Sequence, residues 1–220
     1  MGASKIDIET ITNNQATKLP KTPYQKPLYR NGRCMKLSLP PNNFVISISH
    51  TTRKARPNEI NGKDYYFVNE NEFDVLVKGN SFFEHANIFD NRYGTLKKPV
   101  LDFLSKGKDV LFDIDWQGTQ QLKKIKDLSL VTFFILPPNI ETLRSRLLNR
   151  HEGQEKIIDK RMNKFNEEVS HWREYNYVVI NDDLDVCYNK ILNIILSEKK
   201  GINQKQNLSL IEEKVGELTK

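Results

Sequence analysis

From Phe44 onward the chain alternates two hydrophobic patterns, continuous β-branched or aromatic runs and residues spaced three and four apart. Before Phe44 it shows neither. Phe44-Val-Ile-Ser-Ile-Ser49 predicts a strand, and residues 64–68 predict a second, shorter one. Asn69-Glu-Asn-Glu72 has the form of a helix cap, and the helix it opens sets Phe73, Leu76 and Val77 on one face and stops near Gly79. Residues 82–89 form another predicted strand, Asp90-Asn91 a turn, and residues 99–106 a helix ended by Gly107. Asp109-Val-Leu-Phe-Asp-Ile-Asp115 is almost continuously apolar before its terminal acids, as in a strand buried in a parallel sheet. A helix of Gln, Lys and Leu follows, and then a buried strand at 130–136 halted by Pro137-Pro138. Residues 140–149 predict an amphipathic helix with Leu143 and Leu147 inward, and residues 175–181 a third buried strand. Asp183 opens the last core helix, carrying Val186, Ile191, Ile194 and Ile195 to about Lys199. Strands alternating with helices predict an α/β fold, an open parallel sheet with helices on both faces.

The two ends differ from this middle. Residues 1–42 are polar and carry Pro20, Pro23, Pro27, Pro40 and Pro41, which predicts a mostly disordered segment. Its one strand-like hint, Ile6-Asp-Ile8, is too short to carry weight. Residues 200–220 read as a polar tail whose weak amphipathic patch, 208–218, is either helical or loose.

Bulk properties narrow the class. At 220 residues and 38% hydrophobic, the chain supports one full-sized domain with a substantial core. A net charge of +6 suits an anionic ligand such as a nucleotide; it is spread without a dense basic tract, which argues against nucleic acid. Cys34 and Cys187 form no CxxC pair, so neither a zinc site nor a disulfide framework is indicated. His50, His85, His151 and His171 lack metal-ligand spacing, Trp116 and Trp172 read as packing groups, and there is no GxSxG elbow. No apolar run is long enough for a membrane span and the N-terminus has no signal-peptide core, so a cytoplasmic setting is expected. Oligomeric state is left open.

Three groups carry candidate chemistry. The first is the corner from Ser47 to Tyr65, where hydroxyls lead into Arg53 and Arg56; guanidinium forks and nearby hydroxyls suit phosphate oxygens, though a solvated basic loop has the same composition. The second is Asp113 and Asp115, which alternate with Ile114 and so share a strand face. They fit a magnesium shell or an acceptor for base N–H groups, unless one merely caps the next helix. The third is Arg144, Arg146 and Arg150 on one helix, with Arg161 beyond a polar loop at 151–155. Arg146 and Arg150 stack on one face, as for an awaited phosphoryl group or a plain solvated surface.

Together these residues resemble guanylate kinase over about residues 43–199. The resemblance is carried by Ser49-His-Thr-Thr-Arg-Lys-Ala-Arg-Pro-Asn-Glu-Ile-Asn-Gly-Lys-Asp-Tyr-Tyr-Phe67 and Phe83-Glu-His-Ala86. Arg92-Tyr-Gly-Thr95, Asp113-Ile-Asp-Trp-Gln-Gly118, Ile135-Leu-Pro-Pro138 and Val179-Ile-Asn-Asp-Asp-Leu184 continue it in order. It implies a P-loop-kinase-like open parallel sheet with a small mixed GMP-binding subdomain at about 51–96 and a lid at about 144–161. It further implies that Ser49, Arg53, Arg56 and Tyr93 hold the GMP phosphate with Tyr65 beside them, and that Glu84, Thr95 and Asp115 read the guanine. Arg146, Arg150 and Arg161 would close over the ATP phosphates, with Arg53 also serving transfer. Asp113 would support Mg2+ arriving with ATP, and Asn181 would lie near the adenine.

One part of the family pattern is missing. The first strand and its G-x-x-x-x-G-K-[ST] (Walker A) loop should precede Phe44, yet the only Gly-Lys pairs, Gly62-Lys63 and Gly107-Lys108, are each followed by Asp. Without that strand a gap is expected among the buried strands. In the lid, His151-Glu-Gly-Gln154 stands where the family has a glycine- and threonine-bearing turn. Two readings follow: a kinase transferring the ATP γ-phosphoryl to GMP, or a GMP-binding or partner-binding domain with impaired transfer.

Overall fold

The computed structural model describes residues 7–11, 44–150 and 155–220, without the side chains of residues 7–11 and Arg150. In chain order the first half contains β1 (Asp7–Ile11), β2 (Phe44–Ile46), β3 (His50–Thr51), β4 (Tyr66–Phe67), α1 (Glu70–Lys78), β5 (Phe82–Ile88), β6 (Asn91–Leu96) and α2 (Lys97–Ser105). The second half contains β7 (Asp109–Ile114), α3 (Trp116–Lys123), β8 (Leu130–Leu136), α4 (Ile140–Arg150), α5 (Glu155–Ser170), β9 (Tyr177–Ile180), α6 (Leu184–Glu198) and α7 (Leu208–Leu218).

The larger sheet runs β2-β7-β1-β8-β9, with β2 parallel to β7 and β8 parallel to β9. The expected gap is therefore filled. Asp7-Ile-Glu-Thr-Ile11, placed by sequence in a disordered segment, is the central strand. It holds three β-branched residues, and a central position offers ladder partners on both edges, so context makes a strand where five residues alone do not. The rest of 1–42 lies outside the described residues.

From Phe44 on, the chain forms two compact units that divide between Leu130 and Val131. In the later unit β8 presents Phe134 and Leu136 to a cluster with Leu143 and Leu147 of α4, and with Ile158, Phe165 and Val169 of α5. Ile211 and Leu218 of α7 enter the same cluster, so the C-terminal segment is no loose tail. The Gln206 amide reinforces this by accepting from the Val178 N–H at 2.9 Å and donating to the Val178 carbonyl at 2.9 Å, which covers the free edge of β9. Helix α6, capped by Asp183, buries Cys187, Ile191, Ile194 and Ile195, but Val186 faces solvent.

In the earlier unit β7 buries Val110, Phe112 and Ile114 against Val100 of α2 and Leu122 of α3. The Phe44–Ser49 run is shared by two sheets. After β2, the Ser47 N–H and hydroxyl both donate to the Leu111 carbonyl at 2.9 and 3.1 Å, and the chain then enters a small mixed sheet of order β4-β3-β6-β5. The α1 cap is a full capping box, Asn69 with Glu72. The β5–β6 turn is Phe89-Asp90, both in the left-handed region, and Asn91 belongs to β6. The predicted turn was one residue late because Asn91 has turn chemistry; its side chain does serve the turn, donating to the Phe89 carbonyl at 2.8 Å.

Candidate nucleotide site

The small sheet and its loops carry most of the candidate residues. At the corner, one Arg53 nitrogen donates to both oxygens of Glu59 at 3.0 and 2.9 Å, while the other donates to the Lys54 carbonyl at 2.6 Å. The guanidinium lies 5.4 Å from the Tyr65 ring centre and 5.7 Å from that of Phe67. Glu59 also accepts from the Arg56 backbone N–H at 2.9 Å and faces the Arg56 guanidinium at 3.6 Å. One carboxylate thus holds two arginines, leaving the trio one positive charge in surplus. Burial, and then the charge of Arg53, hold the Arg56 pKa below its ordinary value, with Glu59, Tyr93 and Tyr65 acting the other way. A cation pressed by burial and by a second cation gains most from an arriving anion. Tyr65 and Tyr93 meet edge-on at 6.1 Å beside it. Glu59 went unassigned in the sequence reading although it stands three residues after Arg56, a spacing that suits a partner for both arginines.

The other end of the cluster is buried. Strand alternation turns Phe82, Glu84 and Ala86 inward, so a carboxylate occupies a core-facing register position. Glu84 is 3% exposed, and its Oε1 has no hydrogen-bond partner. Burial pushes its carboxyl up to about 7; hydrogen bonds from Thr95 pull it back, and the nearby charge of Asp115 adds to the rise. Thr95 is the cross-strand partner of Glu84, and its hydroxyl lies 3.1 Å from that of Ser49. All three are buried.

Asp115 caps α3, one oxygen accepting from the Gly118 N–H at 3.0 Å and the other from the Gln117 amide at 2.9 Å. The helix-cap alternative raised by the sequence is thus realised in this residue. Asp115 is buried while Asp113 is exposed, so the two acids occupy different environments despite their alternation. Among the described residues no group of three or more His, Cys, Asp or Glu could hold a metal ion.

The candidates of the later unit form a second group. The Arg146 guanidinium donates to the Asn181 carbonyl at 3.0 Å and the Asp182 carbonyl at 3.3 Å, tying α4 to the loop after β9. Asn181 is buried, and its N–H donates to Leu136 at 2.8 Å. Arg161 is half-buried on α5, and Arg144 faces Asp159 at 3.6 Å on the surface. The side chain of Arg150 and residues 151–154 lie outside the described residues.

The Arg53–Glu59–Arg56 trio with its one surplus positive charge, and the buried Glu84 carboxyl short of a donor, suit a ligand that carries both an anion and hydrogen-bond donors. The family model for guanylate kinase matches residues 35–198. The guanylate kinase of Rickettsia bellii is 49% identical over 162 residues, 74% of this chain and 84% of that protein. That of Novosphingobium aromaticivorans is 46% identical over 158 residues, covering 72% of each chain. The crystal structure of guanylate kinase from Anaplasma phagocytophilum superimposes with a TM-score of 0.62 at 35% identity, over 78% of this chain and 84% of that one. The chain belongs to the guanylate kinase family.

Proposed function

We propose that this chain transfers the γ-phosphoryl group of ATP to GMP, giving GDP and ADP. The observation that carries this reading is the buried Glu84 carboxylate with an unpartnered oxygen. Guanine presents N1–H and a 2-amino group, both donors, to such a carboxylate; adenine presents an acceptor at N1. Glu84, Thr95 and Asp115 read the base, while Arg53, Arg56, Tyr65, Tyr93 and Ser49 hold the phosphate. The hydrogen bonds that Arg53 and Arg56 make to Glu59 set the grip before GMP arrives, which lowers the cost of ordering on binding. On the donor side Arg146, Arg150 and Arg161 supply charge to the transferring group, and Asn181 lies by the adenine. Chemistry of this type is positioning plus electrostatics with no covalent intermediate.

Mg2+ bound with ATP neutralises phosphate charge. It keeps most of its waters and takes one or two carboxylates. Asp113, an exposed hard carboxylate in β7, fits that role through water. The same reading places the chain in purine nucleotide metabolism and in the cytoplasm; none of the described helices is long and apolar enough to cross a membrane.

A second reading, GMP binding without transfer, is favoured by one observation: no G-x-x-x-x-G-K-[ST] loop occurs in the 220 residues. A coupled assay on the full chain with ATP, Mg2+ and either GMP or AMP separates the two. Transfer predicts turnover with GMP and none with AMP. GMP binding by calorimetry with no turnover would establish the second reading instead.

A further inference from the structure

Gly118 stands in the first turn of α3, in a helix where glycine is a poor choice. Its backbone is not in the left-handed region, so no turn geometry requires it. What requires it is space. A Cβ at this position would lie 2.7 Å from Oε2 of Glu84, 3.2 Å from its carboxyl carbon and 3.1 Å from Cδ1 of Ile114. The carboxylate therefore rests in the room left by the missing side chain.

One turn further along α3, the Gln121 amide donates to the His85 carbonyl at 2.8 Å and accepts from the His85 N–H at 3.1 Å. The Gln117 amide makes a longer contact with the Asn87 carbonyl at 3.4 Å. Strand β5 is the edge of the small sheet, so these backbone groups have no further strand to pair with. Helix α3 takes that place. Its side-chain amides fix β5 at the residue next to Glu84, while its glycine admits the Glu84 side chain. The same helix begins at Asp115, whose charge acts on Glu84.

We propose that Gly118 and Gln121 are positioning residues for base selection, setting how deep the Glu84 carboxylate sits and where its unpartnered oxygen points. This rests on Glu84 reading guanine, as assigned above. An alanine at 118 meets the far ends of the Glu84 and Ile114 side chains rather than backbone, so the fold accommodates it by displacing the carboxylate. Gln121→Leu releases the strand that carries it.

Calorimetry of the wild-type chain, G118A and Q121L with GMP and with IMP tests this, since IMP lacks the 2-amino group. Thermal melts run alongside. In G118A the GMP affinity falls by about tenfold or more and the IMP affinity by less, so the preference for GMP shrinks, while the melting temperature is unchanged or higher. Q121L moves the preference in the same direction. A wild-type preference that persists in both variants overturns the inference, as does an equal loss for both nucleotides with a lowered melting temperature. A wild-type chain that binds GMP and IMP alike would overturn the reading of the 2-amino group by Glu84, on which the inference rests, and leave only its pairing with N1–H.

Discussion

Glu84 gives the sharpest quantitative test, because its burial has a sign and a size. Its carboxyl rises from an ordinary value of 4.5 to about 7, chiefly through burial. The folded chain then holds this proton more tightly than the unfolded chain does, so stability from this group is complete below about 4.5 and is lost as pH rises to about 7. At about 1.36 kcal/mol per pH unit, the interval from 4.5 to about 7 amounts to roughly 3 kcal/mol. Glu84→Gln keeps the shape and removes the titration. Urea denaturation of both proteins between pH 4 and pH 8 isolates the effect, since groups that do not interact with Glu84 cancel in the difference and its coupling to Asp115 is part of the shift being measured. The variant gains on the wild type by roughly 3 kcal/mol across that range, or about 6–12 °C in melting temperature, and loses its preference for GMP. A difference flat in pH, or one that favours the wild type at high pH, refutes the burial of a titrating carboxyl at this position.

Other consequences are as direct. Glu59→Gln leaves Arg53 and Arg56 facing each other without their shared carboxylate; a loss of about 2 kcal/mol, between the exposed and buried limits for ion pairs, appears in chemical denaturation, and GMP affinity drops with it. Burial opposes the charged form of Glu59, but the Arg56 backbone N–H and the Arg53 guanidinium outweigh it and hold its carboxyl below the ordinary value. Its stabilisation is therefore present at neutral pH and lost as pH falls through the lowered folded-state value, the opposite direction to Glu84. Ile211→Ala opens a cavity in the cluster around Phe134 and costs about 2–5 kcal/mol by denaturation, whereas a loose tail would show no change.

The sequence announced the long buried strands well. Residues 130–136 were bounded correctly because Leu130-Val-Thr-Phe-Phe-Ile-Leu136 is apolar on both faces and stopped by two prolines. Helix α5 escaped notice although Ile158, Met162, Phe165 and Val169 keep a helical spacing; the intervening charges hid it. Strand β1 had no local signal strong enough, since its stability comes from neighbours on both sides. Helix α7 was ambiguous for a related reason: Ile211 and Leu218 become core only where Phe134 and Trp172 await them.

The site was legible in its chemistry and not in its wiring. Arginine pairs and hydroxyls were visible as residue types, but the linkage of Arg53 and Arg56 through Glu59 needed the loop closed around it. Glu84 was recognisable by motif; that its Oε1 is left unpartnered in the core, and that Gly118 makes room for it, is a property of packing.

Proton release on GMP binding tests the central assignment most directly. Calorimetry at pH 7 in two buffers of different ionisation enthalpy counts the protons. With its carboxyl near 7, Glu84 is about half protonated in the free chain, and pairing with guanine N–H groups drives it to the carboxylate. Release of about half a proton per GMP is expected, beyond about 0.1 from the nucleotide phosphate, which alone remains in Glu84→Gln. No excess release over the variant, or net uptake, would contradict it.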